Sequence, residues 1–262
     1  MDLRIELALW TAGSVMLSVL GAQLAWRAQQ RPASWLGRFR SGWAGNRLGY
    51  AILFLVRLAY YLGLPYAVLM RHALSPVVIG LAGTQTPDLP WWMLGRNPGD
   101  WTEAIRWAAI LGVLAAATLA LGWWNVSRAT GAEFPSGGVL PAPSLLVAAR
   151  EGIYAEIHWA FYRAAPLMFI ADSYWATLAG AALVIAEWAL DPAWHVGLAN
   201  GSRRETVLMQ LAWLALSTSM FMLARNVWLA ILLHVALAWA VGEWAALLAA
   251  KRAEKALNAD ES

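Results

Sequence analysis

Cysteine is absent from the 262-residue chain, which excludes disulfides, thiolate metal sites and cysteine nucleophiles. Charge is scarce too. Asp, Glu, Lys and Arg make up 13% of the residues, about half the roughly 25% usual in soluble domains. Histidine occurs only four times. No basic segment precedes the first apolar run, which opens Met1-Asp-Leu-Arg-Ile-Glu6, and no small-residue cleavage site follows it. That run therefore reads as a retained anchor, not a cleaved signal. No internal repeat is present. The net charge of +3 and the pI of 9.4 do not argue for nucleic acid, because the basic residues are mostly loop arginines.

What the chain has in quantity is apolar surface: 60% hydrophobic residues and a mean hydropathy of +0.52. Residues 1–262 read as one integral membrane domain, an all-α transmembrane helix bundle in contact with the lipid bilayer. A span takes about 20 mainly apolar residues. The expected spans are seven: 5–26, 48–70, 104–124, 144–168, 173–190, 206–224 and 227–249. An eighth is expected if the less apolar stretch 73–95, with Pro76, Pro87 and Pro90, also crosses. The Gly- and Pro-rich stretch 125–143 separates a three-span part, 1–124, from a four-helix part, 144–249. A polar tail, 250–262, closes the chain.

Trp26, Trp43, Trp91, Trp92, Trp123, Trp124 and Trp244 lie near the ends of apolar runs, as an interfacial belt would place them. Arg27, Arg31, Arg38, Arg40, Arg47, Arg128, Arg203, Arg204 and the basic tail fall on one side of a seven-span arrangement. This expects an inner-membrane protein with its N-terminus outside and its C-terminus in the cytoplasm.

The polar residues within apolar runs are the candidate site, since ionisable groups in a span are costly and usually face a protein interior. Residues seven apart on a helix nearly eclipse. Glu151 and His158 therefore share one face of the fourth span, and Glu156 and Arg163 share another. Glu156 and Arg163 can neutralise each other. His234 lies in the last span and Glu187 in the fifth. His158, Glu187 and His234 together would make a two-His, one-carboxylate set of the kind that holds catalytic Zn²⁺. His72 at a helix end and His195 in a loop are weaker candidates. Asn226 stands where a cap of the last helix is expected.

The segment His158-Trp159-Ala-Phe-Tyr-Arg163-Ala164 resembles the first motif of the CAAX-protease and bacteriocin-processing (CPBP, or Abi) intramembrane metalloproteases, in which two adjacent Glu are followed after three residues by Arg. Leu183-Val-Ile-Ala-Glu187 is similar to the second motif, Phe, three residues and His. Arg225-Asn226-Val-Trp228 through His234 to Ala238 resembles the third. The order agrees, over roughly 145–245. Arg163 and His234 carry over unchanged. His158 and Trp159 stand at the paired Glu, Glu187 at the second-motif His and Ala238 at the final Asn. The resemblance implies metal binding or oxyanion stabilisation by the His positions and water activation by the Glu pair.

The first reading of function is a catalytically degenerate CPBP-like scaffold that binds a membrane-protein partner. The alternative is an active metal-dependent endopeptidase on a membrane peptide substrate. It would have Zn on His158, Glu187 and His234, Glu156 as base and Arg163 as an orienting group. A transporter using Arg57 and Glu187 ranks last, because no matching halves are found.

Overall fold

The computed structural model describes residues 2–34, 37–38, 42, 46–81, 101–130 and 144–260. Most of the stretch 73–95, most of the loop 125–143, and Trp43, Trp91 and Trp92 lie outside the described residues. Among those described there are helices and no strands. They are α1 (Leu3–Gln30), α2 (Arg47–Leu58), a π-helical turn (Ala59–Gly63), α3 (Leu64–Met70), α4 (Trp101–Thr130), α5 (Leu145–Phe169), α6 (Ser173–Ala189), α7 (Pro192–Ala199), α8 (Gly201–Ala224) and α9 (Val227–Asp260).

Short polar side chains open these helices by accepting orphan backbone N–H groups. Asp2 accepts from Arg4, Asn46 from Leu48, Ser144 from Val147, and Asp172 from Tyr174 and Trp175. Asp191 caps α7, with Pro192 at the first helical position. Asn226 Oδ1 accepts the Leu229 N–H at 3.1 Å, the cap expected from sequence.

Among the described residues, five helical segments are long and apolar enough to cross a bilayer: Leu3–Gln30, Arg47–Met70, Trp101–Gly122, Thr206–Ala224 and Val227–Trp244. Ser173–Ala189 and Pro192–Ala199 qualify only as a pair, and an 84° bend separates them. The count is therefore five, or six with the bent pair, where seven or eight were expected. The missing span is α5. Its 25 residues are long enough, but it carries Arg150, Glu151, Glu156 and Arg163.

The helix whose buried charges keep it from qualifying as an apolar span is also heavily enclosed. Twelve residues of α5 are buried, and it packs on α6, α9, α1 and the π turn. Its neighbours enclose Glu156, His158 and Arg163, while Glu151 and Arg150 near its start stay partly exposed. Leu7, Val68, Phe161, Tyr162, Val184, Val227 and Ile231 belong to the core around it. A smaller cluster, Ala104, Met220, Leu229 and Ala230, seats α4 on α8 and α9. Outward-facing Leu53, Leu55, Val56, Val113, Leu114 and Leu121 are left for lipid.

Contacts between elements set the directions. Arg71 donates to Glu6 at 2.8 Å, tying the end of α3 to the start of α1. At that same end a turn at residues 72–81 tucks Ala73, Leu74, Val77 and Ile79 inward. Gly80 holds φ +78°, and its carbonyl accepts the Val227 N–H at 3.1 Å. A Cβ there would lie 2.6 Å from the Arg225 carbonyl oxygen, so only glycine permits the approach.

Candidate functional site

Two polar clusters lie on opposite sides of α5. Glu156 and His158 are two residues apart, about 200° round the helix, so they meet different neighbours.

Glu156 is the centre of the first cluster and is 1% exposed. His234 Nδ1 lies 3.0 Å from its Oε1, and Ser217 Oγ donates to its Oε2 at 2.5 Å. Arg163 donates to Ser217 Oγ at 3.1 Å and lies 3.8 Å from Glu156 Oε2. The intrahelical pair expected from the seven-residue spacing thus forms with a serine from α8 between its members. The Arg163 guanidinium lies 4.6 Å from the Phe221 ring centroid, and its Nε has no hydrogen-bond partner among the described residues. Trp159 and Trp213 stack nearly parallel to the His234 ring. Gly180 lets α6 close on this region: a Cβ there would fall 2.6 Å from Arg163 Cα.

His158 is the centre of the second cluster. Its Nε2 lies 3.5 Å from Glu187 Oε2 and 3.5 Å from the Tyr60 hydroxyl. Its Nδ1 is buried without a hydrogen-bond partner among the described residues. Ser18 of α1 donates to Glu187 Oε1 at 2.5 Å. The rings of Tyr60, Tyr61 and Tyr162 surround the imidazole, with centroids 5.0, 5.2 and 4.3 Å away. Tyr60, Tyr162 and Ser14 share a chain of hydroxyl contacts at 3.2–3.4 Å. Tyr60 and Tyr61, adjacent in the π turn, both pack on the one imidazole ring.

The five residues singled out from sequence are therefore all buried, but in two groups. His158 and Glu187 meet, while His234 meets Glu156 and Arg163. No group of three or more His, Asp or Glu side chains placed to hold one ion occurs among the described residues. His234 directs its Nδ1 to Glu156 on the other face of α5, and not to the His158–Glu187 pair. Glu151 does not join His158 either; Arg57 of α2 and the adjacent Arg150 take it. His72 and His195 are exposed, and His195 bonds the Ala189 carbonyl.

Compared with family models, with curated proteins and with solved structures, the chain matches none. It is a helical protein with several membrane-span-capable helices, and its buried polar groups are the ground on which function must be argued.

Sequence reasoning missed Ser217, Tyr60, Tyr162, Ser14 and Ser18. Ser14 and Ser18, four apart in the apolar middle of α1, share a face and were a readable signal. So was the run Ser217-Thr-Ser219 inside a span. The tyrosine doublet gave no such signal.

Proposed function

We propose that this protein is a catalytically degenerate relative of the CPBP/Abi membrane proteases that serves as a membrane scaffold binding a partner protein. The observation that carries the reading is the state of Glu156. Both carboxylate oxygens are engaged by protein donors, His234 and Ser217, inside a bundle that leaves the residue 1% exposed. A general base needs a lone pair directed at a reacting proton, within about 2.6–3.2 Å or through one water. Glu156 commits a lone pair on each oxygen to holding α5, α8 and α9 together, and its burial shields the remaining ones. The motif order over 145–245 supports the kinship, and His158 and Trp159 at the paired-Glu positions support the loss of water activation.

In this reading α5 also crosses the bilayer, enclosed by its neighbours, and the bent pair contributes one span, which makes seven. The arginine-rich side, with Arg27, Arg31 and Arg47, then faces the cytoplasm of an inner membrane and the N-terminus lies outside. The test is purification of the full chain from its native membrane in mild detergent. The expected result is a stoichiometric membrane-protein partner that Glu187→Gln does not release. A chain that emerges alone and monomeric sinks the proposal.

One observation favours the second reading, a metal-dependent endopeptidase. The His158 ring has an uncommitted Nδ1 and only long contacts at Nε2. That reading requires His234 to leave Glu156 and join His158 and Glu187. Stoichiometric zinc in the purified protein, and cleavage of a membrane peptide that Glu187→Ala abolishes, would establish it in place of the first.

A further inference from the structure

A third charged cluster lies on the outer surface where Arg57 of α2 meets Glu151 of α5, beside the tyrosine cage of His158, with which it shares Tyr61. Glu151 is shared by two arginines. Arg57 donates to its Oε2 at 2.6 Å, and Arg150 reaches its Oε1 at 3.0 Å through Nε and 2.7 Å through a terminal nitrogen. Two cations on one carboxylate leave one positive charge in excess. The cluster is also open: the side chains of Arg57, Glu151 and Arg150 are 45%, 41% and 30% exposed.

Its depth makes this exposure consequential. Arg57 stands ten residues into α2, about 15 Å along the axis, and Glu151 six residues into α5, about 9 Å. Exposed Leu53, Phe54, Leu146 and Val147 surround it, so the neighbouring surface is lipid-facing. A helical side chain leans toward its helix N-terminus, which turns Arg57 toward the end of the bundle where α2 begins. Arg27, Arg31 and Arg47 are exposed at that same end. Arg57 is also held in place: its guanidinium lies 5.7 Å from the centroids of both Tyr61 and Tyr154, whose rings stack at 5.4 Å.

An excess charge at this depth is expensive unless an anion meets it. A guanidinium has five N–H donors in a fork that matches phosphate oxygens, and Arg57 uses one terminal nitrogen on Glu151. We infer that Arg57, Arg150 and Glu151 form a binding site for the phosphate of an anionic lipid in the leaflet where α2 begins. The acyl chains lie along the apolar surface beside α2 and α5, and the phosphate takes the excess charge. Glu151 aligns the two arginines and at the same time competes with the phosphate for them. The inference does not rest on the scaffold reading.

The full chain is purified in detergent, and its melting temperature is followed as phosphatidylglycerol or phosphatidylcholine with the same acyl chains is added. Phosphatidylglycerol should stabilise the protein saturably, at a concentration where phosphatidylcholine does not. Arg150→Gln should weaken this by about tenfold, the scale of one charge-assisted contact. Arg57→Gln should do the same. If that variant does not fold, Arg150→Gln alone carries the test, since it keeps the Arg57–Glu151 pair. Glu151→Gln should tighten binding, because it removes the competing anion. Equal stabilisation by both lipids, or weakening by Glu151→Gln as large as by the arginine variants, would overturn the site. Glycerol phosphate should compete only at far higher concentration. Competition at the concentration where the lipid acts would overturn the lipid assignment in favour of a soluble phosphate ester.

Discussion

Removing the Glu156 carboxylate should destabilise the bundle more than removing its arginine, and removing both should cost less than removing the acid alone. In Glu156→Leu, the Arg163 cation stays 1% exposed with only the Ser217 hydroxyl at 3.1 Å and the Phe221 ring at 4.6 Å. A desolvated cation–π contact is worth about 2 kcal/mol, and an uncompensated buried charge costs about 3–5 kcal/mol. The acid variant should therefore lose about 3 kcal/mol or more. Arg163→Met leaves Glu156 its bonds from His234 and Ser217, so its loss should be nearer 1–2 kcal/mol. In Glu156→Leu/Arg163→Met no charge is stranded, and apolar replacement of a buried pair is often close to neutral. The cycle should give a coupling of about 2 kcal/mol or more in favour of the pair. Reversible unfolding in mixed micelles titrated with a denaturing detergent measures all four corners. Strict additivity of the two single losses would refute the reasoning, for it would mean that the two charges do not sense each other.

Other outcomes follow from close approaches and from the tyrosine cage. Gly180→Ala sets a methyl 2.6 Å from the Arg163 backbone and should cost about 1–3 kcal/mol, while Gly13→Ala, with nothing within 4 Å, should be neutral or slightly stabilising in the same unfolding assay. Gly80→Ala meets both a left-handed backbone and a carbonyl at 2.6 Å, and limited proteolysis should show the 72–81 turn opening. Tyr60→Phe removes the hydroxyl that reaches Ser14 and His158, with an expected loss of about 1 kcal/mol and no effect on the Glu156 cluster.

The helices were legible because apolar run length is a property of each segment alone. So was the burial of Glu156, His158, Arg163, Glu187 and His234, since charges in such runs point inward. The number of apolar spans was not legible in the same way. The polar content that marks α5 as the centre of the bundle also removes it from a count by hydropathy. The grouping of the site residues depends on how α9 is rotated against α5, and the periodicity of either helix alone does not contain that angle. A seven-residue spacing found the Glu156–Arg163 pair, because both residues lie on one helix. It missed Ser217 between them, because Ser217 comes from another. Glu151 had the right azimuth for His158, but Arg57 and Arg150 hold it at the surface.

The central claim is that the acid and imidazole groups form two separate closed pairs, not one shared centre. With four histidines in the chain, ¹⁵N imidazole NMR of the labelled protein, assigned by single substitutions, tests it most directly. Glu187→Gln should move the His158 resonances and leave those of His234 unchanged. Movement of both histidines together in that variant would contradict the account.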